Sequence, residues 1–505
     1  MCFGVECPKV DALSDTSLRD LPPLSSEDTL SRVLNTVLLL HVTSTKHYSA
    51  HTRAFLLSIA PIDEQSAIST LKDPKHALED AESHAKSAKD AQARKNRTWR
   101  ALGVGGAALA GGVLVGVTGG LAAPLVGAGV STLLGALGLG GSAAGVLAAG
   151  LASSSAVCGA LFGVYGAKEG AEMIARHTKE VADFAIVPVR EPRETLAVRI
   201  CVSGWLGNRG DVTAPWTVFD ESEDTFALQW EVEALEKLST ALGDLLKSNA
   251  IKLVRNEILK HTFLAALTAA LAPIAFLKLG ELVDNPWANT KNLAIKTGKV
   301  LASLLANRAF GARPVSLYGY SLGALVILSA LDHLAGMYDD GEEKEMGMEK
   351  ISHVVQDVYL MGTPIPSNSK TWTRARRVVS GHLVNAYTDA EADYVLAFLS
   401  RLSLPSSSSS SSSSTSKTAK PGFGVAGLEA VEISGVENVK IDGVEGHVAW
   451  RGMVGRCLEV CGARGLRKEE VERQEEEVGE RIRRDIEEKQ RGRTPESGEK
   501  DHNMV

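Results

Sequence analysis

One long uncharged stretch restricts the fold of this chain more than any other feature. No Asp, Glu, Lys or Arg occurs between Arg100 and Lys168, and Gly, Ala, Leu and Val dominate the run. This length is sufficient for two or three helices of about 20 residues, the length that crosses a bilayer. The sequence therefore predicts a Gly/Ala-rich apolar helical hairpin within residues 101–167.

Two local features favour membrane insertion of this hairpin. Gly112, Gly116 and Gly120 recur every four residues, which places them on one helix face and permits close helix contact in lipid. The preceding "ARKNRTWR" is a basic flank with Trp99, as is typical near lipid headgroups. Because Gly and Ala bury little apolar surface, reversible or interfacial insertion is one alternative. A buried glycine-rich hairpin in a soluble protein is the other.

Short apolar runs alternate with helical patterns from Phe184 onward. The runs lie at 184–190, 195–204, 225–231, 314–321, 354–364 and 381–388. Strands that alternate with helices indicate a largely parallel sheet covered on both faces, joined by right-handed crossovers. We therefore predict an α/β domain at 184–465.

Other segments differ from this domain in composition. We predict a disordered N-terminus at 1–29, a helical region at 30–100, a flexible polyserine insertion at 405–420 and a charged helical or disordered tail at 466–505. A second apolar stretch at 263–280 is short and interrupted by Pro273. We expect a buried or lid-like helix there, with a membrane-apposed lid as the alternative.

Charge and cysteine usage argue against several classes of protein. The formal net charge is −7, and no basic stripe is interleaved with aromatic residues, so we expect no nucleic-acid partner. The six cysteines are scattered without zinc-ligand spacing, which indicates a reduced, intracellular protein without a metal. The N-terminus lacks a secretory signal pattern. We therefore expect an intracellular membrane location, with the α/β domain facing the cytosol.

The sequence "GYSLG" matches the Gly-x-Ser-x-Gly pattern of a nucleophile elbow, with Gly319 and Gly323 on either side of Ser321. That motif requires a strand, a sharp turn that exposes the serine, and then a helix. The preceding residues favour a strand, and residues 325–335 favour an amphipathic helix. The context predicts that Ser321 is a catalytic nucleophile.

A serine nucleophile needs a base to take its proton, and in this arrangement the acid and the histidine follow the serine in the chain. His447 in "DGVEGHVAW" lies after the last strand-like run, where the base is expected. The acid should follow the run at 381–388, where "YTDAEADYVL" offers Asp389, Glu391 and Asp393. Spacing alone does not choose among these three carboxylates.

An oxyanion hole requires two backbone N–H groups. One comes from the residue after the nucleophile, Leu322, and the other from the loop after an early strand. The stretch "RICVSGWLGNRGD" supplies such a loop, with Gly204 and Trp205 as candidates. An ordinary strand-to-helix turn explains Gly204 equally well.

Several stretches resemble the transmembrane-and-coiled-coil-domain-containing protein 4 family, also known as domain of unknown function 726. They include "VSGWL", "RPVSLYGYSLGA", "LMGTPIPSN", "VSGHLVNAYTDAEADYVL" and "GHVAWRG", and the resemblance covers roughly residues 30–465. It implies an α/β-hydrolase-like domain, membrane association and lipase- or esterase-like activity. In the family's pattern the acid precedes an aromatic residue and "VL", which implies Asp393 in "DYVL". The polyserine insertion and the charged tail depart from that pattern.

The leading hypothesis is a membrane-associated serine hydrolase that cleaves a lipid or other ester. Ser321, His447 and Asp393 would form its triad, and neither a metal nor an organic cofactor is required. A second hypothesis is a membrane adaptor or trafficking protein on a hydrolase scaffold, since fold does not fix function. A third is membrane remodelling or pore formation by residues 101–167. The sequence specifies no protein partner.

Overall fold

The structure, a computed structural model, describes residues 26–74, 76, 154–162, 181–247, 273–339, 353–403 and 424–477. The predicted disordered N-terminus up to residue 25, the hairpin up to residue 153, the polyserine insertion and the tail beyond residue 477 lie outside the described residues. The domain boundaries given above therefore stay predictions.

Within these ranges, seven strands form one mixed, mostly parallel sheet in the order β1-β3-β2-β4-β5-β6-β7. The strands are β1 (Phe184–Pro188), β2 (Val198–Val202), β3 (Asp224–Trp230), β4 (Val315–Tyr320), β5 (Val355–Met361), β6 (Leu383–Tyr387) and β7 (Glu437–Lys440). β1 runs antiparallel to β3, whereas β5, β6 and β7 are mutually parallel. The predicted mostly parallel sheet is thus present.

Ten α-helices accompany the sheet in the described part of the chain. They are α1 (Glu27–Thr45), α2 (Ala50–Ile59), α3 (Glu64–Lys72), α4 (Ser154–Phe162), α5 (Val232–Lys247), α6 (Pro273–Ala306), α7 (Leu322–Asp339), α8 (Lys370–Val378), α9 (Tyr394–Ser403) and α10 (Val454–Val460). α6 packs along α7 and against α5, and α7 also packs against α8. None of the described helices combines the length and the apolarity that a bilayer span requires.

The central strands owe their position to continuous apolar sequence. Every residue of β2, β4 and β5 is buried, as expected where helices cover both faces of a sheet. Tyr318 of β4 stacks on Tyr359 of β5, with ring centroids 5.2 Å apart. By contrast, β7 is a largely exposed edge strand. The buried centre therefore lies at β2, β4 and β5.

Pro273 is the first described residue of α6. The helix continues through Pro286, where the Thr290 hydroxyl donates to the Pro286 carbonyl at 2.6 Å. The second half of the apolar stretch 263–280 is thus helical, and residues 263–272 lie outside the described part.

The contacts divide the chain into two compact units. The described residues of the first unit are those up to Phe162, together with Glu194–Val198 and Asn307–Val315. The remaining described residues form the second unit, which holds most of the sheet. The first unit is therefore assembled from three separate parts of the chain.

The first unit has its own apolar core, to which α4 contributes. Val157 and Leu161 of α4 are fully buried with Leu38 and Leu39 of α1. The Ala312 N–H donates to the Ala160 carbonyl at 3.1 Å. The described end of the long uncharged run is thus packed against protein.

Candidate active site

The sheet topology brings two predicted site segments together. In the sheet, β2 lies between β3 and β4. The chain passes from β2 to β3 on one side of β2, and it later forms β4 on the other side. In open α/β sheets, such a reversal opens a crevice at the carboxyl ends of the strands. Gly204 and Trp205 follow β2, and Ser321 follows β4. The predicted oxyanion loop and the predicted nucleophile therefore meet at one edge of the sheet.

Ser321 occupies a sharp turn between β4 and α7. Its φ of 54° lies in the left-handed region, which is uncommon for a residue other than glycine and costs of order 1–3 kcal/mol. The Ser321 N–H donates to the Met361 carbonyl at 2.8 Å, and the Ala324 N–H donates to the Ser321 carbonyl at 3.0 Å. Contacts on both sides thus hold the turn.

Three glycines permit the close packing around this turn. A Cβ at Gly319 would lie 2.7 Å from Ile327 Cδ1, and one at Gly323 would lie 2.0 Å from the Val202 carbonyl oxygen. A Cβ at Gly204 would lie 2.1 Å from the Gly323 nitrogen. Gly204 is therefore pressed against the elbow itself, which an ordinary strand-to-helix turn does not require.

Ser321, His447 and Asp393 form one continuous hydrogen-bonded chain. Ser321 Oγ lies 2.6 Å from His447 Nε2, and His447 Nδ1 lies 2.7 Å from Asp393 Oδ2. All three side chains are buried. An imidazole held between a hydroxyl and a carboxylate can take the hydroxyl proton while the carboxylate fixes its tautomer.

The three candidate carboxylates of the loop after β6 differ in their surroundings. Asp393 is fully buried and faces His447. The Asp389 side chain is 60% exposed and pairs with Lys440 Nζ at 2.8 Å, and Glu391 is also exposed. Asp393 is thus the carboxylate that the fold brings to the imidazole.

The Asp393 carboxylate accepts three hydrogen bonds. Oδ2 accepts from His447 Nδ1 and also from the Trp450 indole N–H at 3.0 Å. Oδ1 accepts from the Leu396 backbone N–H at 3.0 Å. A buried carboxylate without such donors carries a desolvation penalty of several kcal/mol, so these donors stabilise the ionised form in place.

The loop that carries the histidine is tied to the loop that carries the acid. Gly446, with φ 81°, donates its N–H to the Ala392 carbonyl at 2.7 Å. His447 then begins a short 3₁₀ helix, His447–Met453. The Trp205 ring meets the His447 ring edge-on, with centroids 6.4 Å apart. Trp205 therefore packs beside the imidazole as well as next to Gly204.

Leu322 is the first residue of α7, where a backbone N–H has no partner within the helix. A Cβ at Gly204 would lie 2.3 Å from the Leu322 nitrogen, so the backbones of the two predicted oxyanion segments are adjacent. The N-terminus of a helix also favours negative charge. This pair can therefore stabilise an oxyanion.

A polar network that the sequence analysis missed supports the loop after β2. Asp211 Oδ2 accepts from the Gly207 N–H at 2.6 Å, from the Asn208 N–H at 3.0 Å and from Arg451 Nη1. Ser203 Oγ donates to the Asp211 carbonyl at 2.9 Å. Arg451 lies in the "GHVAWRG" stretch, but nothing in the sequence pairs it with a residue 240 positions away.

Two further aromatic residues near the site were also missed, because nothing in the sequence pairs them with their partners. The Tyr320 hydroxyl donates to the Trp205 carbonyl at 2.8 Å, and burial raises the pKa of that phenol. Trp450 donates to Asp393, as described above. Within the described ranges, no group of three or more His, Cys, Asp or Glu side chains is arranged to hold a metal ion.

A protein family described as "Protein of unknown function (DUF726)" matches residues 96–464. The chain belongs to the DUF726 family. The resemblance inferred from the sequence stretches is thereby confirmed. No solved structure matches this DUF726 chain.

Curated relatives of the DUF726 chain carry different names. "Uncharacterized membrane protein C6F6.13c" of Schizosaccharomyces pombe is 36% identical over 452 residues, which cover 86% of this chain and 72% of that protein. "Transmembrane and coiled-coil domain-containing protein STS1" of rice is 32% identical, over 72% of this chain and 52% of that protein. "Probable lipase MIL1" of Saccharomyces cerevisiae is 31% identical, over 63% of this chain and 27% of that protein. The chain thus spans about half or less of the latter two relatives.

Proposed function

We propose that this DUF726 protein is a membrane-associated serine hydrolase that cleaves a lipid or other ester. The observation that carries the proposal is the hydrogen-bonded chain from Ser321 through His447 to Asp393 at a nucleophile elbow. The chain order of serine, acid and histidine is that of α/β-hydrolases, which supports an α/β-hydrolase-like fold. The name "Probable lipase MIL1" supports an ester substrate. The relatives named as membrane proteins support membrane association.

In this mechanism, Ser321 Oγ attacks the ester carbonyl carbon while His447 Nε2 takes the hydroxyl proton. Asp393 holds the imidazole and stabilises its charged form. The N–H of Leu322 and an N–H of the Gly204–Trp205 loop donate to the oxyanion. The tetrahedral intermediate expels the alcohol, which receives the proton from His447. Water, with His447 as base, then releases the acid and restores Ser321.

A small, mostly apolar pocket shares one residue with the surroundings of the acid. Its cavity volume is about 70 Å³, and its walls include Trp287, Pro364, Leu396, Leu399 and Val425. The Leu396 backbone N–H donates to Asp393. An apolar lining of this kind is compatible with an apolar acyl or alcohol group.

A membrane adaptor or trafficking protein on the same scaffold is the second candidate function. The observation that favours it is the complete burial of Ser321, at 0% exposed. A nucleophile in that state meets an ester only after a neighbouring segment has moved. In the adaptor hypothesis, the hydrogen-bonded chain is a structural element of the core.

Replacement of Ser321 by alanine separates the two candidates. We expect Ser321→Ala to lower hydrolysis of short-chain p-nitrophenyl esters by at least about 10³-fold and to abolish labelling by a fluorophosphonate probe. Ser329→Ala, in α7 and away from the elbow, is the matched control and should retain both. If wild-type protein labels no better than Ser321→Ala, the adaptor function replaces the hydrolase function.

A further inference from the structure

Trp450 contacts the acid of the proposed triad and has no part in the proton transfers. Its indole N–H donates at 3.0 Å to Asp393 Oδ2, the same oxygen that accepts from His447 Nδ1. Trp450 is 0% exposed. Two donors therefore share one carboxylate oxygen in a site closed to solvent.

The local geometry brings the imidazole and the indole to that oxygen together. His447 and Trp450 are three residues apart in one 3₁₀ helix, and residues at that spacing lie on the same face. Gly362 has a φ of 57°, and a Cβ there would lie 2.6 Å from the indole Nε1. The absence of a side chain at Gly362 thus leaves room for the indole N–H at the carboxylate.

This arrangement differs from three other indole contacts of the second unit. Trp216 donates to the Ser203 hydroxyl at 3.0 Å. The indole N–H groups of Trp230 and Trp372 donate to backbone carbonyls, of Ser203 at 3.0 Å and of Pro366 at 3.2 Å. A donor to a backbone carbonyl satisfies a neutral core group. A donor to a buried carboxylate also stabilises its charge, and such bonds are roughly twice as strong.

We propose that Trp450 is a positioning residue, which fixes the orientation of Asp393 toward His447. This inference rests on the proposed hydrolase function. The Leu396 N–H holds Oδ1, and the Trp450 indole N–H holds Oδ2. With both oxygens held, the carboxylate cannot rotate away while His447 moves the proton.

The shared acceptor gives this role a specific consequence. The indole N–H and the imidazole N–H donate to the same Asp393 oxygen, so loss of the indole donor changes the hydrogen bond between His447 and Asp393. Loss of packing alone would lower activity without a change in that hydrogen bond.

Trp450→Phe removes the N–H and retains an aromatic ring. We expect kcat to fall about 10-fold at pH 7 and KM to stay within about 2-fold, because Trp450 would not touch the substrate. Trp372→Phe is the matched control, since it removes an indole N–H from an equally buried site. Its kcat should match that of wild type. Benzothienylalanine at position 450, with sulfur in place of the N–H, tests the same loss at nearly constant volume.

The downfield proton resonance of the His447 Nδ1–H provides a readout that does not require turnover. It should shift in both position-450 variants and stay in place in Trp372→Phe. If this resonance is unchanged in both position-450 variants, Trp450 has no positioning role. If wild-type protein neither hydrolyses esters nor labels with the probe, the hydrolase proposal fails, and the resonance still decides whether Trp450 controls the His447–Asp393 contact.

Discussion

Asp393 is a buried carboxylate. None of its described hydrogen-bond partners is a Lys or Arg side chain. Its partners are an imidazole, an indole and a backbone N–H. Neutral donors stabilise the negative charge without neutralising it, so the charge remains available to an imidazole that becomes protonated. A salt-bridged carboxylate would lose much of that ability to its partner.

This difference predicts a ranking of two nearby substitutions. Asp393→Asn should lower kcat by about 10⁴-fold, because an amide holds the imidazole in the wrong tautomer. Asp389→Asn should change kcat by less than about 3-fold, because Asp389 pairs with Lys440 on the surface. Steady-state hydrolysis of a p-nitrophenyl ester measures both. The opposite ranking would assign the acid to Asp389.

At the scale of secondary-structure elements, the site depends on how closely the loop after β2 approaches the turn before α7. The two are separated by little more than glycine hydrogens, since a Cβ at Gly204 would meet Tyr320, Leu322 and Gly323 backbone atoms at 2.1–2.3 Å. Both segments directly follow buried central strands, β2 and β4, so their backbones have few ways to move apart. The same approach places the two oxyanion segments side by side.

Gly204→Ala tests this approach. We expect it to destabilise the protein by about 1–3 kcal/mol through overpacking and to lower kcat/KM by about 10²-fold through displacement of the elbow. Thermal unfolding and ester hydrolysis measure the two effects. The control is Gly243→Ala in α5, where no atom lies within 4 Å of an added Cβ. That change should stabilise the protein by about 0.5–1 kcal/mol. A fully active, stable Gly204→Ala would contradict the predicted contact.

Some of these elements could be predicted from the sequence, and others could not. The buried strands were recognisable because each is a short apolar run, and the elbow because glycines flank Ser321. His447 followed from chain order, whereas Asp393 needed the family resemblance, since three carboxylates share one loop. Trp450 and Arg451 were missed because each contacts a residue in a loop that is distant in the sequence. The packing of α4 was hidden by the uniform composition of residues 101–167.

At the scale of the whole molecule, membrane insertion by the uncharged run stays a prediction. Since Val157 and Leu161 are buried in a protein core, the proposed inserted part ends before Ser154. Leu114→Asp combined with Val126→Asp should shift the protein toward the soluble fraction, because each charge at mid-span costs about 2.5–3.5 kcal/mol. Ester hydrolysis should persist in that variant.

Carbonate extraction of membranes measures this shift. Ser408→Asp combined with Ser410→Asp adds the same charge in the polyserine insertion, and it should leave the distribution unchanged. Complete release of the wild-type protein by carbonate would show that the run is not integrally inserted.

The assembly of the first unit from three parts of the chain limits where the protein can be truncated. Glu194–Val198 and Asn307–Val315 end at the first residues of β2 and β4, the two strands whose far ends lead to Gly204 and Ser321. Tyr48 donates its N–H to the Ala312 carbonyl at 2.8 Å, and Ala160 accepts from the Ala312 N–H. A chain truncated to begin at Phe184 would lack Tyr48 and Ala160, so the carbonyl and the N–H of Ala312 would lose these partners. Deletion of the N-terminal helices would therefore remove partners of Ala312 within its own unit, and loss of activity after such a deletion would not by itself report a lost membrane anchor.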